Sequence, residues 1–411
     1  MMTGRYYSVY TDTISEADWT RFEFYSQKVR TIRTYALTET IEAGSMIQLL
    51  NSRPPSIRYL LPRVAEIDWE LTDEPRSLPQ LVPLLSPTLK SFTLHSDSGS
   101  MSEDIDTIVV LRHLAFLPGL KLLKLGANWL ESTPDLDPAI CDILDSQKET
   151  LMSFSHQTFD LNERFSASIS RLRSLVRLDL DFSGTHNQTN QNFNNFSATL
   201  ASRCPILQFV RLRNMFGAQG RTFYAFLPLT GIKEMKSIQI HCVDLALELQ
   251  DLQEMGASWR SLKELRFPFS SILLPWLATI ARHFSSALEV IEAIIPVPKD
   301  FDPDYTTFTP FTSVKHISCL YYVQPESAKA VGSFIQRLVA PGTAVGASYG
   351  AVRRLTEAVG SGVSWWGEWE SEKEEEEEPV EESGEESVEE EEGEEDEEED
   401  EELTSDGSLV F

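Results

Sequence analysis

Ser174-Leu175-Val176-Arg177-Leu178-Asp179-Leu180 is the stretch that decides the fold, because its pattern recurs along the chain. Apolar residues stand at Leu175, Leu178 and Leu180, that is at n, n+3 and n+5. The same spacing is found in Leu120 to Leu125, Leu207 to Leu212 and Leu262 to Phe267. Copies begin at Val29, Val64, Leu89, Leu120, Leu151, Leu175, Leu207, Met235, Leu262, Leu288 and Val314. The frames are chosen on n and n+3, so the test lies at n+4 and n+5. At n+4 stand Arg33, Asp68, Thr93, Lys124, Ser155, Asp179, Arg211, Gln239, Arg266, Glu292 and Ser318, all polar. At n+5 every residue is non-polar except Thr34 and His156. In-out-in alternation over n+3 to n+5 is the period-two mark of a strand with one buried face.

Between these strands the chain turns helical. Residues 137–150 open on Asp137-Pro138; residues 194–203, 274–285 and 326–339 carry similar signals, and Pro275 is tolerable in a first turn. A mean separation of about 28 residues falls in the range of leucine-rich repeats. The expected fold is therefore α/β: a leucine-rich-repeat-type solenoid of about eleven strand–helix units with a parallel concave sheet. Ser15-Glu-Ala-Asp18 is a capping box, with Ile14 and Trp19 placed as a hydrophobic staple, so residues 1–28 form a capping helix region. Trp19, Phe22 and Val29 then fall near one helical face that covers the first repeat. The solenoid spans 29–341. A Gly-rich linker with the cluster Trp365-Trp366-Gly367-Glu368-Trp369 spans 342–367, with one short helix at 351–359, and a disordered acidic tail spans 368–411. The tryptophans are expected to fold back on the last repeat and shield its edge.

The chain has 411 residues and a formal net charge of -29. That charge is local. Of 64 acidic and 35 basic residues, 26 and 1 lie beyond position 367, leaving residues 1–367 at -4. A near-neutral body gives no footprint for nucleic acid. The tail suits basic proteins, through charge complementarity, or serves as a solvated extension. Cys141, Cys204, Cys242 and Cys319 share no metal-ligand or disulfide spacing, so reduced thiols and a cytoplasmic or nuclear location are expected. The opening residues hold no apolar signal core, and the apolar run Ile272 to Ile280 is short and broken by Pro275, so no membrane span is expected. Asn187 and Asn195 match the glycosylation pattern by chance in an Asn-rich loop.

No catalytic set, cofactor fingerprint or metal-ligand spacing emerges, so an enzyme is not expected. Gly346-Ala-Ser348-Tyr-Gly350 matches a nucleophile elbow, but the last histidine, His316, lies upstream of it, against the hydrolase order. His95 and His241 at n+6, and His316 at n+2, are expected to be ordinary exposed residues on strand faces, and with His113, His156, His186 and His283 they form no metal-ligand pattern.

Two stretches carry a family likeness. Cys204-Pro205 before a copy of Pro-x-Leu-x-x-Leu-x-Leu resembles the repeat region of F-box proteins. Asp18-Trp19-Thr-Arg21-Phe22-Glu-Phe-Tyr25-Ser-Gln-Lys-Val29-Arg30 resembles the entry to that region in the F-box/leucine-rich-repeat proteins expanded in mushroom-forming fungi. The likeness covers residues 14 to 340. It implies a module that presents a protein substrate to an SCF ubiquitin ligase, with Skp1 as a partner through an F-box. The residues before Ser15 contain no F-box pattern, so Skp1 is expected only if an F-box exists outside this chain. The expected partner-binding residues lie on the concave strand positions: Arg177, Asp179, Asp181, Arg211, Arg213, Gln239, His241, Glu264 and Arg266. A repeat array with an acidic tail also resembles the Ran GTPase-activating proteins and the acidic leucine-rich nuclear phosphoproteins that chaperone histones. Their Asn step after the strand is approached only at Leu125-Gly-Ala-Asn128-Trp-Leu130.

Overall fold

A computed structural model of the protein describes residues 6–8, 14–34, 39–41, 43–71, 81–96, 104–127, 136–157, 161–182, 189–215, 222–243, 245–284, 287–297, 309–321, 328–347, 355 and 364–367. Its strands are β1 (Tyr6–Ser8), β2 (Thr31–Arg33), β3 (Glu39–Ile41), β4 (Glu66–Leu71), β5 (Ser91–Ser96), β6 (Leu122–Ala127), β7 (Ser153–Gln157) and β8 (Arg177–Asp181). They continue as β9 (Phe209–Met215), β10 (Ser237–Cys242), β11 (Glu264–Ser271), β12 (Val290–Pro296), β13 (His316–Tyr321), β14 (Ala344–Ala347) and β15 (Ser364–Gly367). The helices are α1 (Glu16–Ser26), α2 (Ala43–Asn51), α3 (Asp104–Ala115), α4 (Leu136–Ser146), α5 (Glu163–Ser170), α6 (Asn190–Arg203), α7 (Leu249–Ser258), α8 (Trp276–Phe284) and α9 (Ala328–Leu338).

Thirteen strands form one parallel sheet in sequence order, from β2 through β4 to β15, while β1 and β3 pair separately. Each of the eleven strands β2 and β4 to β13 begins at n+2 of a copy read from the sequence. The n+3 residues stand opposite one another, Phe154 to Leu178 to Val210 to Ile238 to Leu265. Side chains at n, n+3 and n+5 pack with the helices in one core that reaches from Val64 to Leu355. A parallel sheet needs a crossover between neighbours, and among the described residues helices or short 3-10 turns lie in most of these connections, such as α4 between β6 and β7 and α6 between β8 and β9. One repeat has only half a core, so the array is stable by sharing it.

The structure extends the array past its expected end. Residues 342–367, read as a linker, contribute β14 and β15, with Val345 in line with Ile317, and Trp365 with Val345. The frame fails there because Gly342 and Gly362 occupy n, where an apolar side chain was required. Gly342 sits at φ 87°, a left-handed conformation that a side chain would strain. Of the helix at 351–359, only Leu355 is described, and it is buried. The tryptophan side chains and the acidic residues 368–411 lie outside the described residues.

At the other end the capping box is present. The Ser15 hydroxyl accepts from the Asp18 amide at 3.2 Å, and the Asp18 carboxylate accepts from the Ser15 amide at 3.1 Å. Trp19 does not share a core with Val29. It packs with Met46 of α2, Ile57 and Leu60, with Ile14 and Phe22 at the margin, while Val29 joins the main core. α1 ends at Ser26, so Val29 is not on its helical face.

Candidate protein-binding surface

The nine residues singled out by their strand positions come together on one face of the sheet. Residues at n+4 stand in register: Asp179 of β8 faces Arg211 of β9, then Gln239 of β10, Arg266 of β11 and Glu292 of β12. The row therefore runs acid, base, amide, base, acid. Ser318, one strand on at n+4, is buried.

The charges are largely matched within the face. Arg213 Nε donates to Asp179 Oδ1 at 3.2 Å, and its Nη1 lies 3.5 Å from Asp181 Oδ2. Arg211 Nη1 lies 3.9 Å from Asp179 Oδ2 and its side chain is 44% exposed, so it is the looser of the two. Arg266 Nη1 donates to Glu292 Oε2 at 2.9 Å, and its Nε approaches Glu264 Oε2 at 3.4 Å. Glu264 also accepts from the Ser237 hydroxyl at 2.9 Å. Gln239 and His241 hydrogen-bond to each other through their side-chain nitrogens. Arg177 is exposed and lies over the Phe209 ring at 4.7 Å.

Three aromatic or acidic members were not among the expected residues. Glu292 occupies the same n+4 row and was legible there. Phe209 lies under Arg177 at n+2. Phe269 is 47% exposed and meets His241 edge-to-face at 5.8 Å. It owes its place to a break in the ladder, which jumps from Phe267 opposite Ala293 to Ser271 opposite Ile294. Pro268 has no N–H to donate in that interval, which fits a bulge.

The histidines do not share one environment. His241 is held below its ordinary pKa first by burial and then by Arg211, and His316 by burial and then Arg266. His95 Nε2 lies 2.9 Å from Asp68 Oδ1. His156, the polar exception at n+5, is buried, with its ring centroid 6.0 Å from those of Phe154 and Phe165. Burial lowers its pKa to about 3, so it is neutral. Cys141, Cys204 and Cys242 are buried, and burial pushes the Cys204 thiol up to about 12, out of the reactive range.

Among the described residues no three His, Cys, Asp or Glu side chains are grouped to hold a metal ion, and no helix is long and apolar enough to cross a membrane. Gly346 lies buried in β14, whereas Ser348 and Asn128 fall outside the described residues. The face offers paired charges, an amide and two aromatic rings.

No family model matches this chain, and no curated protein does. Among solved structures, the yeast complex of Rad7 and Elc1 is similar with a TM-score of 0.47 and 12% identity, over 74% of this chain and 74% of that one. The leucine-rich repeat-containing protein LegL7 from Legionella pneumophila is similar with a TM-score of 0.37 and 13% identity, over 81% of this chain and 97% of that one.

Proposed function

We propose that this leucine-rich-repeat solenoid is a protein-recognition module, and that its polar strand face holds the partner as the substrate-recognition part of an F-box-type (SCF) ubiquitin-ligase adaptor. The observation that carries the recognition reading is the in-register row Asp179, Arg211, Gln239, Arg266 and Glu292, which gives five adjacent strands one ordered polar surface. Because its acids and bases pair with one another, the face presents little net field. The partner is then selected by shape and hydrogen-bond geometry, with association near the unsteered range of about 10⁵–10⁶ M⁻¹s⁻¹ and weak dependence on salt. Arg177, Arg211 and Phe269 are the anchors in this reading, since each is exposed on a strand of the sheet.

The ligase role rests on the likeness of α1 and the strand after it to the entry of the F-box/leucine-rich-repeat proteins. In this reading Skp1 binds through an F-box outside residues 1–411. For residues 368–411 the reading is salt-sensitive retention of basic proteins such as histones, strong at about 50 mM and lost by about 300 mM salt.

Affinity capture with the native chain and with an Arg177→Ala, Arg211→Ala, Arg266→Ala variant, compared by quantitative mass spectrometry, tests the recognition reading. One protein depleted at least about fivefold by the variant is the expected result. Identical capture by both chains overturns the polar face as the binding surface. Skp1 recovered with the gene product extended upstream supports the adaptor role, and its absence from that capture removes it.

A further inference from the structure

The strands begin on a second ordered row, at n+1, along the edge of the sheet where each strand starts. Backbone bonds join its members into a rung: Met152 N–H donates to Lys121 O at 2.8 Å, Val176 to Met152 at 2.8 Å, Gln208 to Val176 at 2.9 Å and Lys236 to Gln208 at 2.8 Å. The row continues to Lys90 on one side and to Lys263, Glu289 and Lys315 on the other. Its charge is unlike that of residues 1–367 as a whole, which carry -4. Five lysines stand against one carboxylate, and Glu289 is clamped between Lys263 at 2.8 Å and Lys315 at 2.6 Å. The clamp itself lines a cleft of about 690 Å³, with Lys263, Glu289 and Lys315 joined by Arg260 and Thr343.

The lysines are not continuous. Between Lys121 and Lys236 the edge carries no charge in this row and is largely apolar: Met152 is 43% exposed, Val176 is half-buried, and Ile206, in the turn before the uncharged Gln208, is 42% exposed. An exposed apolar patch rimmed by polar residues marks an interaction surface.

We propose that this edge is a second protein-binding surface that takes an extended polypeptide segment with an apolar middle and acidic residues at both ends. Lys121 and Lys236 are four strand spacings apart, about 19 Å at ~4.8 Å per strand, which an extended segment covers in about six residues at ~3.3 Å each. The acidic ends meet lysines, and the middle buries against Met152, Val176 and Ile206. A phosphate polymer fits less well. It would lay several charges across the apolar interval with no cation opposite, and meet the Glu289 carboxylate beyond it. The row is distinct from the n+4 row of the polar strand face, because n+1 lies at the strand starts and n+4 in their middle, although the two surfaces adjoin at Val176 and Arg177.

The test uses the full chain and a fluorescent peptide of three glutamates, six residues containing Leu and Val, and three glutamates. Anisotropy is read at about 50 mM and 300 mM salt. A peptide with Ser and Gly in the middle and a single-stranded DNA of equal charge are the comparisons. Expected are binding of the apolar peptide, at least about tenfold weaker binding of the Ser/Gly peptide, and weaker binding still of the DNA. Lys121→Glu with Lys236→Glu should weaken it at least about tenfold at low salt, and Met152→Ser with Ile206→Ser about fivefold at both salts. Lys329→Glu, exposed on α9, should leave it unchanged. All these changes are at surface or edge positions, and a melting curve verifies folding. No binding up to 1 mM peptide, binding indifferent to both pairs of substitutions, or tighter binding of the DNA overturns the proposal.

Discussion

Arg213 bonds diagonally to Asp179, although the ladder sets it opposite Asp181: its Nε donates to Asp179 Oδ1 at 3.2 Å from the neighbouring strand. The guanidinium thereby closes a triangle with both aspartates of β8. Those two carboxylates are the more buried partners, at 18% and 15% exposure, so losing the cation costs more than an open surface pair would.

A double-mutant cycle on Arg213→Ala and Asp179→Ala should give a coupling of about 0.5–1.5 kcal/mol by urea unfolding, modest because Arg213 remains about one-third exposed. Arg213→Glu should destabilise by more than Arg213→Ala, since it places a third carboxylate beside Asp179 and Asp181. Equal losses from the two substitutions would mean that the pair is not formed. Charge reversal at Arg213 is consequently a poor probe of partner binding, and Arg211 is the better one.

His156 fills an n+5 site where neighbouring strands hold Leu125 and Leu180. Its Nδ1 is buried without a hydrogen-bond partner. A folded pKa of about 3 lies below the unfolded value, so the unfolded chain binds more protons between them. Stability from this group is present above about pH 6.5 and falls as pH drops toward 3, at up to about 1.4 kcal/mol per pH unit. His156→Leu should flatten that part of the stability–pH curve and raise stability at pH 7. An unchanged slope between pH 6.5 and 4 would show that His156 titrates normally and is not enclosed.

Val345 is fully buried in β14, and the Thr343 hydroxyl donates to Val314 O at 2.9 Å. Val345→Asp should therefore cost several kcal/mol, of the order of 3, in thermal or urea unfolding. A linker residue would tolerate the change within about 0.5 kcal/mol.

Gly256 sits in α7 where an added Cβ would lie 2.3 Å from His283 Cβ of α8. Gly256→Ala gains helix propensity of about 1 kcal/mol but forces the two helices apart. A net loss of about 1–3 kcal/mol is expected, and a stabilised variant would contradict the close packing.

The frame of the fold was legible because burial repeats at n, n+3 and n+5, and Leu178 or Phe154 answers to no other constraint. It failed at Gly342, where the turn geometry outweighs apolar filling, at the second glycine in frame, Gly362, and at β1 and β3, too short to carry a period. The membership of the polar face was legible from parity alone, as Asp179, Arg211 and Arg266 show. Its internal pairing was not, because a diagonal such as Arg213 to Asp179 depends on rotamers. Phe269 was hidden by the bulge at Pro268, which shifts the parity on which the reading relied.

The most direct test of the account is the affinity of the captured partner, measured by calorimetry at 150 mM salt with the native chain, Arg211→Ala with Phe269→Ala, and Lys329→Ala. The account predicts a dissociation constant raised at least about tenfold by the polar-face pair, with unfolding little changed, and no effect of Lys329→Ala. An unchanged constant for the polar-face pair would contradict it.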